Sequence, residues 1–130
     1  MKDKTVADYM TRSPHSIGLD QPLAQAHKLM REHQIRHLPV LSGGRLVGIL
    51  SDRDLAFVEA LRDVDPGRVT VEDAMTSMPY SITQSTPLAK VAREMATHRY
   101  GSAVVMDEAH VIGVFTTTDA LRALADSLGG

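Results

Sequence analysis

Apolar residues recur along this chain at two different spacings, and the order of those spacings predicts its elements. Leu23, Ala26 and Met30 stand three and four residues apart, which puts them on one face of a helix. Pro14-His15-Ser16-Ile17 reads as a short extended piece ahead of that helix, with Asp20 as its N-cap and Pro22 near its first turn. "HLPVL" (37–41) and "RLVGIL" (45–50) flank Ser42-Gly43-Gly44, which reads as a tight hairpin whose glycines take positive φ angles. Ser51 then caps a second helix carrying Leu55, Val58 and Leu61. The predicted order is strand, helix, strand, strand, helix.

The pattern occurs twice. Shifted by 65 residues, the chain aligns with itself without a gap, and 16 of 53 positions between 5–57 and 70–122 are identical. "TVADYMTRSPHSI" falls on "TVEDAMTSMPYSI", "QPLAQAHKLMREH" on "TPLAKVAREMATH", and "GILSDRD" on "GVFTTTD". In the second copy Ser85 reads as the helix cap, "SAVVM" and "VIGVF" as strands, and a last helix starts near Thr116. The expected division is a first unit over 5–62, a linker over 63–69 with Asp65-Pro66-Gly67 as a turn signal, and a second unit over 70–127. A three-stranded sheet with two helices leaves an apolar face exposed, so two such units packing together is the natural remedy. The fold class is therefore α+β, with layers of the α/β type.

Composition narrows the function. At 130 residues the chain can bury a core without staples, and with no cysteine it has neither a disulfide framework nor a thiolate metal site. No apolar run approaches the ~20 residues of a membrane span and no signal-peptide pattern opens the chain, so a cytoplasmic location is expected. Net charge is −2 with scattered basic residues, which argues against nucleic acid as a partner. Six histidines invite a metal reading, but His33 and His37 fall across a helix end and a strand start. No third ligand is set by spacing, and no metal site is expected. Met10, Met30, Met75 and Met95 stand at matched positions and read as core filling. Ser51, His37 and Asp54 have the residue types of a hydrolytic triad, yet no nucleophile-elbow sequence surrounds the serine and its twin motif lacks the histidine. No enzymatic activity is expected.

The chemistry concentrates in Gly48-x-x-Ser51-x-x-Asp54 and its twin Gly113-x-x-Thr116-x-x-Asp119. A capping box accounts for the hydroxyl and the acid without any ligand. It does not by itself ask for glycine, nor for aspartate rather than glutamate, in both copies. A helix N-terminus favours phosphate, while a carboxylate there suits a donor pair such as the vicinal hydroxyls of ribose. Acid, hydroxyl and free amides together describe a nucleotide.

As a whole, residues 5 to 122 resemble the tandem CBS-domain pair, or Bateman module. The likeness rests on the doubled Met-Thr…Pro…Ser-Ile lead-in, the His-Leu-Pro-Val strand and the Gly-x-x-Ser/Thr-x-x-Asp ending. It implies two pseudo-symmetric units packed through their sheets, with two clefts between them that take adenosine derivatives: AMP, ADP, ATP, S-adenosylmethionine and sometimes dinucleotides. Independently of the resemblance, magnesium could accompany a bound ATP. Asp54 and Asp119 would hold ribose, and Ser51 and Thr116 would lie near phosphate, with Gly48 and Gly113 leaving room. Ser16, Ile17, Leu38, Pro39, Ser81, Ile82, Ala103 and Val104 would frame the base. Arg36, His37 and Arg53 would meet phosphate. Their register partners Gly101, Ser102 and Thr118 are uncharged, so the clefts should differ, the basic one preferring the more anionic ligand.

The implied function is regulatory sensing of adenosine nucleotides by conformational or assembly change. The apolar surplus on "LAFVEAL" (55–61) agrees with a homodimer, which the resemblance also implies, reporting to a regulated protein. The alternative is a constitutive dimeric scaffold whose clefts are vestigial.

Overall fold

The computed structural model describes residues 3–13, 15–61, 65 and 67–129. In chain order its elements are a 3-10 helix Val6–Asp8, β1 Thr11–Arg12, β2 Ile17–Gly18, α1 Leu23–His33, β3 His37–Ser42, β4 Arg45–Ser51 and α2 Asp52–Glu59. There follow α3 Val71–Ala74, β5 Thr76–Ser77, β6 Ser81–Thr83, α4 Leu88–His98, β7 Ser102–Asp107, β8 His110–Thr116 and α5 Thr117–Ser127. Both hairpins and the four long helices of the repeat lie where the periodicity puts them, except that α2 ends at Glu59 and leaves Leu61 beyond it. Pro14, at the start of the predicted extended piece, position 62 at the end of the predicted first unit, and positions 63, 64 and 66 of the predicted linker lie outside the described residues. At Asp65, its carboxylate accepts the Gly67 amide at 2.9 Å.

The strands form two four-stranded mixed sheets, β2-β3-β4-β5 and β1-β8-β7-β6. Three strands each were expected; the fourth is a two-residue strand from a lead-in. Thr76–Ser77 pairs antiparallel with β4, and Thr11–Arg12 with β8. Each lead-in therefore joins the sheet built from the other repeat, and the compact units are His15–Pro79 on one side and Met1–Pro14 with Tyr80–Gly130 on the other. A repeat in sequence and a compact unit in space are different sets of residues.

This exchange corrects two predicted caps. The N-cap of α1 is Pro22 and that of α4 is Pro87, neither with a side-chain cap, instead of Asp20 and Ser85. Helix amides normally left over at an N-terminus find carbonyls from the lead-ins. Leu23 N–H donates to Val69 at 2.9 Å, and Leu88 N–H donates to Lys4 at 3.0 Å. With a tertiary acceptor in place, no capping side chain is needed.

Each unit has its own core. In His15–Pro79 it is built on Ile17, Leu23, Ala26, Met30, Leu38, Val40, Leu50, Leu55 and Val71. In the other it is built on residues such as Val6, Ile82, Val91, Met95, Val105 and Phe115. Met10, Met30 and Met95 are buried, and Met75 packs partly buried against the first of these cores, as core filling requires. No helix among the described residues is long and apolar enough to cross a membrane.

Candidate functional site

In the His15–Pro79 unit the strand directions gather the predicted residues at one end of the sheet. β2 and β3 run parallel and begin there; β4 runs antiparallel and ends there, handing the chain to α2. Register pairs His37 with Ser51 and Leu38 with Leu50, and the Asp52 amide donates to the Arg36 carbonyl at 2.8 Å. Ser16, Arg36, His37, Ser51, Arg53 and Asp54 therefore share one rim. Arg36 and Arg53 are exposed, and neither side chain meets a partner among the described residues. The N-terminus of α2 adds its dipole to their positive charge.

The capping box forms as the bland reading of the motif requires. Ser51 N–H donates to Asp54 Oδ2 at 3.0 Å, and Asp54 N–H donates to the Ser51 hydroxyl oxygen at 3.1 Å. Asp54 is only partly buried, however, and its Oδ1 receives no donor among the described residues. The carboxylate caps with one oxygen and keeps the other.

The second unit repeats the geometry. β6 and β7 begin where β8 ends, Ser102 pairs with Thr116, and Ser81 with Val104. Thr117 donates to the Gly101 carbonyl through both its amide and its hydroxyl, each at 3.2 Å. Thr116 N–H donates to Asp119 Oδ2 at 2.9 Å, the same cap. Here the acid is 1% exposed and has further partners. The Thr11 hydroxyl lies 3.0 and 3.2 Å from its two oxygens, and the Arg122 guanidinium bonds to Oδ1. Arg122 also reaches the Tyr9 carbonyl at 3.3 Å, and the Tyr9 hydroxyl donates to Asp126. That bond is the leading cause that raises the Tyr9 phenol pKa above its ordinary value, with burial and the Asp126 and Asp8 charges behind it. Thr11 and Arg122 were missed in the sequence. Thr11 was visible as half of the matched Met-Thr pair; Arg122 was visible only as a divergence, since Phe57 stands at its register position.

The apolar residues expected to frame a base are buried. Leu38, Val104, Ala103, Ile17 and Ile82 are all at most 7% exposed, and Leu38, Ile17, Ala103 and Ile82 belong to the cores. Pro39 is likewise buried, so at these positions it is chiefly backbone that can face a ligand. At Gly48 and Gly113, where a side chain is expected to crowd the backbone, the backbone it would meet is the protein's own lead-in. A Cβ on Gly48 would stand 2.5 Å from Met75 Sδ and 2.9 Å from the Thr76 carbonyl oxygen. On Gly113 it would stand 2.3 Å from the Thr11 carbonyl oxygen. Glycine is demanded by the incoming lead-in strand. No group of three or more His, Cys, Asp or Glu side chains among the described residues is placed to hold a metal ion.

Comparison with known proteins agrees with this fold. The sequence pattern of the CBS domain matches residues 6–60 and 71–126. The chain is 36% identical over 115 residues to a homoserine O-acetyltransferase of Methanocorpusculum labreanum, covering 87% of this chain but only 23% of that protein. It is 27% identical to the CBS domain-containing protein YhcV of Bacillus subtilis, covering 88% of this chain and 81% of YhcV. Among solved structures, the CBS domain pair of MJ0100 in complex with 5'-methylthioadenosine and S-adenosyl-L-methionine superposes with a TM-score of 0.82 at 26% identity, over 95% of this chain and 98% of that one. CBSX2 in complex with AMP superposes with a TM-score of 0.77 at 27% identity, over 95% and 97%.

Proposed function

The chain belongs to the CBS-domain family, and from that premise we propose that it is a regulatory module that binds an adenosine nucleotide. One observation carries the proposal: the Oδ1 of Asp54 stands on the same rim as the Ser51 hydroxyl, the start of α2, Arg36 and Arg53, and among the described residues neither that oxygen nor either arginine side chain has a partner. An acceptor for two sugar hydroxyls lies beside donors and positive charge for phosphate, which is the polarity of a nucleoside phosphate. The solved CBS pairs with AMP or S-adenosyl-L-methionine support the ligand class. The order AMP, ADP, ATP should follow rising phosphate charge at Arg36 and Arg53, with magnesium accompanying ATP. The response is a change of conformation or assembly in a homodimer, scaled by the ligand's preference between states.

Asp54→Asn separates this reading from a mere cap. The amide oxygen of Asn can still accept the Ser51 N–H, so melting temperature should hold. The free acceptor becomes an NH₂ donor, and the lost charge-assisted bonds cost about 1.5–3 kcal/mol, or roughly ten- to hundredfold in affinity. Isothermal titration calorimetry with AMP measures it. Unchanged affinity in the variant, or no heat with AMP, ADP, ATP or S-adenosylmethionine in the parent, leaves the scaffold as the better account.

A further inference from the structure

The two motifs have the same sequence skeleton but differ in what their carboxylates have left to offer. An ionised carboxylate has about four acceptor positions. At Asp119 four donor groups converge on them: the Thr116 amide and hydroxyl, the Thr11 hydroxyl and the Arg122 guanidinium. The same side chain is 2% exposed. At Asp54 one amide takes one oxygen, and the register partner of Arg122 is Phe57, which carries no donor and is 68% exposed. Thr76, the partner of Thr11, makes no hydrogen bond to Asp54 among the described residues.

We infer that Arg122 is a built-in occupant of the second motif: its guanidinium, with Thr11, fills Asp119 and so confines ribose recognition to the first motif. This rests on the nucleotide reading above and adds a determinant to it. A diol must displace one of these donors to reach Asp119, and the guanidinium is the one held by a side chain that is 60% exposed. Its departure would strip a buried carboxylate of its counter-charge, which a neutral diol does not replace. Arg122 thus acts against a second ligand without touching the first site.

The test is binding stoichiometry by calorimetry with AMP on the full chain. The parent should bind about one AMP per chain, with affinity lowered roughly ten- to hundredfold in Asp54→Asn. Arg122→Ala should bind about two, the second lost again in Arg122→Ala with Asp119→Asn, while Arg122→Lys, which keeps a charged donor, should stay near one. Melting curves confirm that each variant is folded. Two AMP per parent chain, or one per chain in Arg122→Ala, overturns this assignment and leaves the nucleotide reading standing. No heat with any of the proteins overturns the nucleotide reading and this inference with it.

Discussion

Replacing Gly113 by alanine should cost far more than a methyl group usually does. Neither Gly113 nor Gly48 has a positive φ, so the effect is steric and not conformational. An ideal Cβ at 113 lies 2.3 Å from the Thr11 carbonyl oxygen, 2.7 Å from Met10 Cε and 3.1 Å from Arg12 Cα, whereas ordinary contact begins near 3.4 Å. Backbone at Thr11 must retreat by about 1 Å. That movement strains the Arg12–Gly113 pairing and the 3.1 Å bond from Ser13 N–H to the Ile112 carbonyl, and it withdraws the Thr11 hydroxyl from Asp119. Overpacking costs about 1–3 kcal/mol, and a donor lost from a buried acid costs about 1–3 kcal/mol more. Alanine's lower unfolded-state entropy returns about 0.5–1 kcal/mol. The net is about 2–4 kcal/mol, a fall in melting temperature of roughly 10 °C for a domain of this size. At Gly48 the nearest atom is the flexible end of Met75 and no acid depends on the neighbouring threonine, so about 1–2 kcal/mol is expected. Urea unfolding of both variants reads the difference from the midpoints at constant m-value. Gly113→Ala within about 0.5 kcal/mol of the parent, or Gly48→Ala the more damaging, refutes the idea that the lead-in strand dictates these glycines.

Further outcomes are open to measurement. Phe57, 68% exposed with Leu61 beyond it at 47%, sits on the proposed dimer surface, so Phe57→Glu should leave circular dichroism unchanged and move sedimentation velocity from dimer to monomer; a monomeric parent removes the basis for it. Arg53→Ala should weaken ATP more than AMP by several-fold in calorimetry, and equal losses for both speak against a phosphate contact. The Tyr9 phenol is raised by its bond to Asp126, so its stabilising effect is present below the ordinary tyrosine range near 10.0 and is lost as pH climbs through the raised value. Asp126→Asn should bring one of the three tyrosines back toward the ordinary range in an ultraviolet titration; an unchanged curve contradicts the assigned cause.

What could be read beforehand was local. The 65-residue offset, the Gly43-Gly44 turn with φ angles of 57° and 79°, and both capping boxes involve neighbours in sequence, and their signatures survive without tertiary context. The lead-in strands were not legible, because two residues are too few to show a period and their partners lie about a hundred positions away or in the other repeat. Asp20 and Ser85 looked like caps because their residue types favour that role; carbonyls of Val69 and Lys4 had already met the need. At the motif, the shared Asp concealed unequal surroundings. The difference lies one helical turn further on, where Phe57 and Arg122 have diverged, and only the fold shows that this turn leans over the acid.

The swapped lead-ins bear on how such a chain could arise. A lone ancestral repeat would have had an unfinished sheet edge and a short segment that completes someone else's, which is the geometry of reciprocal exchange between two identical molecules. Tandem duplication with fusion would turn that bimolecular partnership into an intramolecular one, raising the effective concentration of each segment for its acceptor. It follows that a gene fragment encoding a single repeat should yield either an intertwined pair or an aggregating monomer, and never an independent half.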